Sequence, residues 1–596
     1  MKYASLMIDW LRRDGYTHCF FVAGGNSMHL LDGARQQMTC VPFVHEVAAG
    51  IAAEYFNETS TEHRAFVLVT AGPGLTNLVT AISGAWLESR ELLILGGQVK
   101  TTDLVADGPR QVGIQGIRGS EVVSSLCVES TCLLEPIDQK TFLELIWRGR
   151  VPRKGPVFIE VPLDVQGRPV EPHELEGEQH TFDLAFPTPS DSQLQEVALL
   201  LRDSSRPIIL LGGGVTREST ARHLPALRRF GIPLMTTWNG MDRVGADEPL
   251  YFGRPNTWGQ RRSNVLLQQA DLVIALGTRL GVQQTGFNWQ QFVPIGSVVQ
   301  VDVDQAELSK GHPHVDVPIC GDADEFLAWL LDTQPPTIDE WLDYCRVVSD
   351  RLPLDEECNS RHKGFVEPFQ FALNLSSRCT AADIIIPCSS GGAFTVAMQA
   401  FEQRRGQLVV TNKSLAAMGY GLSGAIGAAL AGDGRRTVLM EGDGGFSQNL
   451  QELATVAAQN LPLKIFLMSN LGYASIRMLQ LSYFDGQYLG CDANTGLGMP
   501  DWQLLFDAYG IRSCEISESS FDSPELLDLF NAPGPAAFIV HVHPEQTYFP
   551  KITSRVLPDG GMESNPLHIM NPPLSSETEA QLLRYLVSTK QRESAQ

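Results

Sequence analysis

Three times along this chain, a short run of β-branched and leucine residues ends in glycines and passes into a segment patterned like a helix. That rhythm is the signature of parallel α/β domains, because a parallel strand needs a crossover, usually a helix, before its neighbour can pair. The first stretch, 1–170, carries strand candidates at 65–70 (AFVLVT), 91–95 (ELLIL) and 156–161 (PVFIEV). The second, 191–335, carries them at 207–211 (PIILL), 271–276 (DLVIAL) and 297–303 (SVVQVDV). The third, 360–550, has DIII at 383–386, QLVVT at 407–411, RTVLM at 436–440, KIFLM at 464–468 and AFIVH at 537–541. Polar, Pro-bearing stretches near 170–190 and 332–340 read as linkers. The tail, 551–596, is Pro-rich and then amphipathic, and is expected to act as a strap or lid. The expected fold is therefore α/β, with three doubly wound parallel-sheet domains.

Size and composition agree with this. At 596 residues and 65.4 kDa the chain exceeds one ordinary core. Apolar residues make up 43% and charged ones 19%, a balance that excludes disordered and fibrous classes. A formal charge of −23 argues against a nucleic-acid or anionic-membrane binder, while leaving room for a locally held phosphate. The eleven cysteines are scattered without a C-x-x-C pair, which favours a reduced interior over a disulfide framework or zinc site. The first residues reach charge by Asp9 and lack a signal-peptide core. No apolar run is long enough to cross a bilayer, and a cytoplasmic location is expected.

The sharpest local pattern lies in the third stretch. Glu441-Gly442-Asp443-Gly444-Gly445 follows the strand RTVLM, and Ser469-Asn470-Leu471-Gly472-Tyr473 follows KIFLM. Asp443 and Asn470 thus fall just past the carboxyl ends of two strands, where open α/β sheets hold ligands. Gly442, Gly444 and Gly445 would let a phosphate approach the backbone. A hard cation wants oxygens, and Asp443, Asn470 and the Gly472 carbonyl could supply three. A lone G-D-G is usually only a tight turn. Here 24 residues, 445–468, separate Gly444 from Ser469, and this resembles the thiamine-diphosphate motif, in which GDG precedes an Asn-Asn pair by a few dozen residues. Ser469 replaces the first Asn; Asn470 keeps the second, metal-binding position.

Other segments resemble the acetolactate synthase family of thiamine-diphosphate enzymes, over about 550 residues. Val44-His45-Glu46 through Ala52-Ala53-Glu54 is similar to that family's HE-x-x-A-x-x-A-A-E helix start, which makes Glu46 the expected catalytic carboxylate. The resemblance implies that Glu46 hydrogen-bonds the cofactor's aminopyrimidine and makes its amino group basic enough to take a proton. Small residues at 48–50 and 52–53 would let this helix pack closely on a partner, as suits a site at a subunit interface. Thr70-Ala71-Gly72-Pro73-Gly74-Leu75-Thr76-Asn77 resembles the family's SGPGATN turn, and Gly24 and Gly25 are expected nearby. Residues 155–166 resemble the segment that closes the pyrimidine-binding domain. Ser389-Ser390-Gly391-Gly392 resembles a second diphosphate loop. Met418, in NKSLAAMGYGLSGAIG, takes the place of the apolar wedge that bends the cofactor; Tyr473 and Ala474 complete the expected contacts. The three stretches thus correspond to pyrimidine-binding, central and diphosphate-binding domains. The family shares the cofactor between subunits, which implies self-association, at least as a homodimer.

Substrate positions depart from the family. Its GxDAFQE segment reads Val112-Gly113-Ile114-Gln115-Gly116, which keeps only Gln115 as a candidate catalytic side chain. Its GMVRQWQ reads Ala474-Ser475-Ile476-Arg477-Met478-Leu479-Gln480, with Leu479 in place of the Trp. Positions that hold FAD in acetolactate synthases have counterparts at Gly212-Gly213-Gly214, Gly277-Thr278-Arg279 and Asp302-Val303-Asp304. Departures at Arg254–Thr257 and Arg279–Gly286 weigh against a flavin. The expected enzyme needs thiamine diphosphate and Mg²⁺, decarboxylates a 2-oxo acid such as pyruvate, and transfers the acyl carbanion to an acceptor carbonyl or activated alkene. A non-ligating decarboxylase, a C–C hydrolase and a non-catalytic regulatory relative are the alternatives.

Overall fold

A computed structural model describes residues 1–105, 108–177, 182, 186–518 and 521–586. Parts of the 170–190 linker and the last residues of the tail, 587–596, lie outside the described residues. The chain forms three parallel sheets. The first holds β1 (Tyr16–Phe21), β2 (Thr39–Pro42), β3 (Arg64–Val69), β4 (Leu92–Gln98), β5 (Glu129–Cys132) and β6 (Pro156–Pro162), in the order β2-β1-β3-β4-β6-β5. The second holds β7 (Pro207–Leu211), β8 (Leu234–Thr236), β9 (Leu272–Leu276), β10 (Ser297–Asp302) and β11 (Val317–Cys320), in the order β11-β10-β9-β7-β8. The third holds β12 (Ile384–Pro387), β13 (Leu408–Val409), β14 (Thr437–Gly442), β15 (Leu463–Ser469), β16 (Arg512–Ile516) and β17 (Ala536–His541). Its order, β13-β12-β14-β15-β17-β16, repeats that of the first sheet strand for strand.

Burial on both faces explains the apolar runs. β4, β6, β7, β9 and β15 are buried along their whole length, as strands covered by helices on both faces must be. The register then sets where each strand stops. In the first sheet Phe21 pairs with both Pro42 and Leu68, so the turns after β1, β2 and β3 open along one edge. In the third, Gly442 pairs with Met468, which leaves Asp443 and Asn470 to leave adjacent strands almost side by side.

The small-residue face of helix Glu46–Thr59 has a partner inside the chain. It packs on helix Tyr420–Ala431 of the third domain, where a methyl group on Gly427 would come within 1.9 Å of the Ala52 carbonyl. The close packing expected of these small residues is present, and its partner is a helix of the same chain. Around this contact lies a buried polar staple: Glu54 accepts from Arg90 (2.8 Å), Asn412 (3.0 Å) and Tyr420 (3.1 Å). Glu88 likewise accepts from the backbone N–H groups of Lys413 (2.6 Å) and Ser414 (2.7 Å).

The tail straps the middle domain. After a hairpin of β18 (Ser554–Val556) and β19 (Met562–Ser564), Leu567, Met570, Leu582 and Leu583 enter the core built on β7 to β11. The Leu582 carbonyl accepts from Tyr344 Oη (2.8 Å) and Gln269 Nε2 (2.9 Å).

Candidate active site

Two groups of the expected residues assemble, each at the carboxyl edge of a six-stranded sheet. In the third domain, Asp443 is 1% exposed. Its Oδ1 accepts from Gly444 N–H (2.8 Å), and its Oδ2 from Asn470 N–H (3.0 Å) and Gly472 N–H (3.3 Å). Burial pushes the Asp443 carboxyl up to about 6, with those backbone bonds opposing the rise. Ionising it is costly unless a positive charge stands beside it.

The side chain of Asn470 is buried, and its Oδ1 has no hydrogen-bond partner. A buried amide oxygen left unpaired costs about 1–3 kcal/mol, so the fold keeps it for something. The main chain of Asn470 is fixed by Asp443 on one side and by Arg477 Nη2 on its carbonyl (2.7 Å) on the other. Gly472 adopts φ +141°, with the Cys491 carbonyl 2.1 Å from where a side chain would start, so only glycine fits. Tyr473 N–H donates to that same Cys491 carbonyl (2.8 Å), its ring covers Gly444, and the buried Ala474 begins the next helix, Ala474–Phe484. Among the described residues no cluster of three or more His, Cys, Asp or Glu could hold a metal. A cation here would need one carboxylate, one amide oxygen, a main-chain carbonyl and oxygens from its own ligand, the donor set that suits Mg²⁺ bound to a diphosphate.

The space beside these groups is open. No atom lies within 4 Å of a side chain built on Gly442 or Gly391, and Gly391 has φ +81°. Gly445 is partly covered by Glu441, whose buried carboxyl is pushed up to about 8 by desolvation. Ser390 and Gly391 begin the helix Gly391–Ala400, and Gly392 lies against Tyr548. Ser389 Oγ donates to the Ala417 carbonyl, which ties this turn to Met418; the Met418 side chain is 38% exposed. After Gly445 the chain completes a short turn of helix, Asp443–Phe446, and then runs through a 3-10 turn, Leu450–Glu452, into the helix Leu453–Ala458.

In the first domain, Glu46 opens its helix with Oε2 accepting from Asn77 Nδ2 (3.1 Å). His45 caps that helix through Nδ1, which accepts from Val47 N–H (3.3 Å). Gly24 leaves no room for a side chain beside Thr70, whose Oγ1 accepts from Asn26 N–H (3.3 Å), and Gly25 faces open space. Pro73 is exposed at the first turn of helix Pro73–Glu88. Gly72, at φ +64°, lets the Gln115 carbonyl come within 2.5 Å of a would-be Cβ; Gln115 itself has φ +66° and is exposed. So Gln115 joins the Gly72–Asn77 turn, although its neighbour Ile114 is 86% exposed.

No hydrogen bond among the described residues joins Glu46 or Asn77 to Asp443 or Asn470. A different carboxylate, not read from the sequence, links the two regions: Glu452 accepts from His45 N–H (2.9 Å) and Val44 N–H (3.4 Å). Partners some four hundred residues apart leave no local signal.

Three consecutive matches define the class: residues 1–118 match the N-terminal TPP binding domain of thiamine pyrophosphate enzymes, 194–330 their central domain and 390–540 their C-terminal TPP binding domain. The chain belongs to the thiamine-pyrophosphate-dependent enzymes. Within them it is similar to acetolactate synthases. It is 29% identical over 562 residues to the acetolactate synthase isozyme 1 large subunit of Escherichia coli, covering 92% of this chain and 95% of that protein. Isozyme 2 of the same organism is 29% identical over 91% of this chain and 95% of its own length. A chloroplastic acetolactate synthase of Zea mays is 28% identical over 93% and 87%.

Proposed function

We propose that this enzyme decarboxylates a 2-oxo acid, pyruvate in the first instance, and joins the acyl unit to an acceptor carbonyl or activated alkene. The carrying observation is the buried, unpartnered Asn470 Oδ1 beside Asp443 at adjacent strand ends. Asp443, Asn470 and the Gly472 carbonyl hold Mg²⁺, and the Gly391–Gly392 and Gly442–Gly445 turns receive the diphosphate. Thiamine diphosphate, when bound, supplies the electron sink that lets a 2-oxo acid lose CO₂ and a new carbon–carbon bond form.

The chain's own groups do the rest. Asn77 occupies Oε2 of Glu46, leaving Oε1 to hydrogen-bond the aminopyrimidine ring and hold a proton there. Gly24, Gly25, Pro73 and Gln115 would line that ring's end, and Met418 would supply an apolar contact between the two ends of the cofactor. Because Glu46 and Asp443 sit in separate groups within one chain, a second copy completes the site, and a homodimer is the minimum assembly. Exposed Ile114, Leu471 (59%) and Leu479 (51%) flank these groups and would be covered by the acceptor or the second copy.

No helix among the described residues is long and apolar enough to cross a membrane, and we place the enzyme in the cytoplasm with small-molecule partners and no nucleic acid. The central domain works without FAD in this reading. Its glycines have a packing reason of their own: a side chain on Gly212 would strike the Gly277 carbonyl at 2.2 Å, and one on Gly214 the Gly277 backbone at 2.8 Å. Purified enzyme with thiamine diphosphate, Mg²⁺ and a panel of 2-oxo acids, with and without acceptor carbonyls, tests the proposal. Ligated product formed only with an acceptor is expected. Free aldehyde without one would replace it with a simple decarboxylase, and no CO₂ from any donor would leave a hydrolase or a non-catalytic relative. A flavin absorbance in the same sample would overturn the FAD assignment.

A further inference from the structure

Glu46 is the first residue of its helix, so the place of its carboxylate depends on how the chain enters that helix. The side chain itself is held by one bond, from Asn77 Nδ2 (3.1 Å). A helix start leaves N–H groups without partners, and a Glu or Gln at the third helical position often accepts from the N-cap N–H. Here the N-cap is His45 and the third position is Ala48, which has no acceptor to offer. The acceptor must come from elsewhere in the fold.

Glu452, of the third domain, supplies it. Its Oε1 accepts from His45 N–H (2.9 Å), and its Oε2 from Val44 N–H (3.4 Å) and Thr455 Oγ1 (2.7 Å). The residue is fully buried. Three donors converge on two oxygens, so a carboxylate fits where an amide does not. A glutamine there would turn the N–H groups of one end toward other donors.

The anchor is firm. Phe446, Leu453 and Val456, on either side of Glu452, are fully buried in the core that also takes Phe43, the residue before Val44. Earlier in the same segment, Ser447 Oγ donates to the Asp443 carbonyl (2.8 Å). Asn449 Nδ2 donates to the Gly419 carbonyl (2.8 Å), next to Met418. The turn that carries Asp443 and the carboxylate that grips the approach to Glu46 therefore belong to one short, pinned stretch of chain.

We infer that Glu452 is a positioning residue: it sets the entry of the chain into helix Glu46–Thr59, and so the place of the Glu46 carboxylate. The inference rests on the proposed role of Glu46. The test compares full-length wild type, Glu452→Gln, Glu46→Gln and the double variant. Turnover of the best 2-oxo acid donor is measured with thiamine diphosphate and Mg²⁺, and amide hydrogen exchange is followed without them. Glu452→Gln should lower kcat by about 10- to 100-fold, the cost of displacing a reacting group by an ångström or less, with KM and cofactor affinity changed less than about twofold. In the Glu46→Gln background the same change should lower the remaining turnover less than about twofold, since no carboxylate is left to place. Exchange at the Val44 and His45 amides should quicken about tenfold or more, with the rest of the helix unchanged. Glu452→Asp keeps the charge but draws it back along the side chain; it should show the same pattern, and it replaces Glu452→Gln if that variant does not fold. Unchanged kcat, or an equal loss in both backgrounds, would mark Glu452 as support for the fold alone and overturn the inference. Full activity in Glu46→Gln would instead overturn the reading of Glu46, and the inference with it.

Discussion

The first and third sheets share one strand order and hold their candidate site carboxylates in opposite ways. Glu46 is half-buried, sits on a helix start, and is held by a single side-chain bond from Asn77. Asp443 is buried and receives three backbone N–H groups. The difference follows from the two tasks proposed for them. A carboxyl that handles a proton must be reached and must adjust, whereas one that holds a cation must be in place beforehand. One scaffold serves both tasks by changing which strand end carries the acid: after β2 in the first sheet, after β14 in the third.

The strongest way to break this comparison is Glu46→Gln. Turnover should fall by roughly 10²- to 10⁴-fold, the span for removing a positioned acid–base group, while Mg²⁺-dependent binding of thiamine diphosphate is kept. Full activity in that variant would remove Glu46 from the chemistry.

Next comes the staple between the two domains. Glu54→Ala strands the buried Arg90 guanidinium, and by analogy with other broken buried pairs it should lower unfolding stability by about 3–5 kcal/mol. Chemical denaturation measures it, and a loss below about 1 kcal/mol would mean that Arg90 finds other compensation.

Asp443→Asn keeps shape and removes charge. Cofactor affinity in the presence of Mg²⁺ should drop by about 100-fold or more, with the apo-protein fold intact; unaltered binding by calorimetry would place the cation elsewhere.

The smallest effect belongs to Glu160, at 2% exposed the first sheet's own buried carboxylate, which burial pushes up to about 7 from 4.5. Because the folded pKa lies above the unfolded one, its contribution to stability is complete below about pH 4.5 and is lost as pH rises through 7. Glu160→Gln should therefore flatten the fall in unfolding free energy between pH 5 and 8, by an amount on the order of 2 kcal/mol, as read by chemical denaturation at each pH. An unchanged slope would assign that pH dependence to other groups.

The strands that the sequence betrayed and those it hid divide along a physical line. β3, β4, β6, β7, β9, β10, β12, β14, β15 and β17 are interior strands with near-continuous apolar runs, and all are legible. β2, β5, β8, β11 and β16 are sheet edges, carry sequences such as ESTC and RSCEI, and escaped notice. β13 is the edge that did show, through the run QLVVT. β1 is the interior strand that did not, because Thr17 and His18 interrupt its apolar run and stay half-exposed.

The site divides the same way. Asp443, Asn470 and Glu46 stand in local motifs, each next to a strand end or a helix start. Glu452 acts across space, and its meaning lies in His45, a partner that no local window contains.

The strap has a consequence for the order of synthesis. β11 ends at Cys320 and the strap begins at Lys551, so the 230 residues from 321 to 550 are made between the middle sheet and the segment that seals it. Leu567 and Leu582 bury fully in that core, each contributing about 1.5–3 kcal/mol. On the ribosome, the middle domain therefore waits with an open apolar seam while the third domain is translated. The core of the domain placed second along the chain can be sealed only after the third domain has been made.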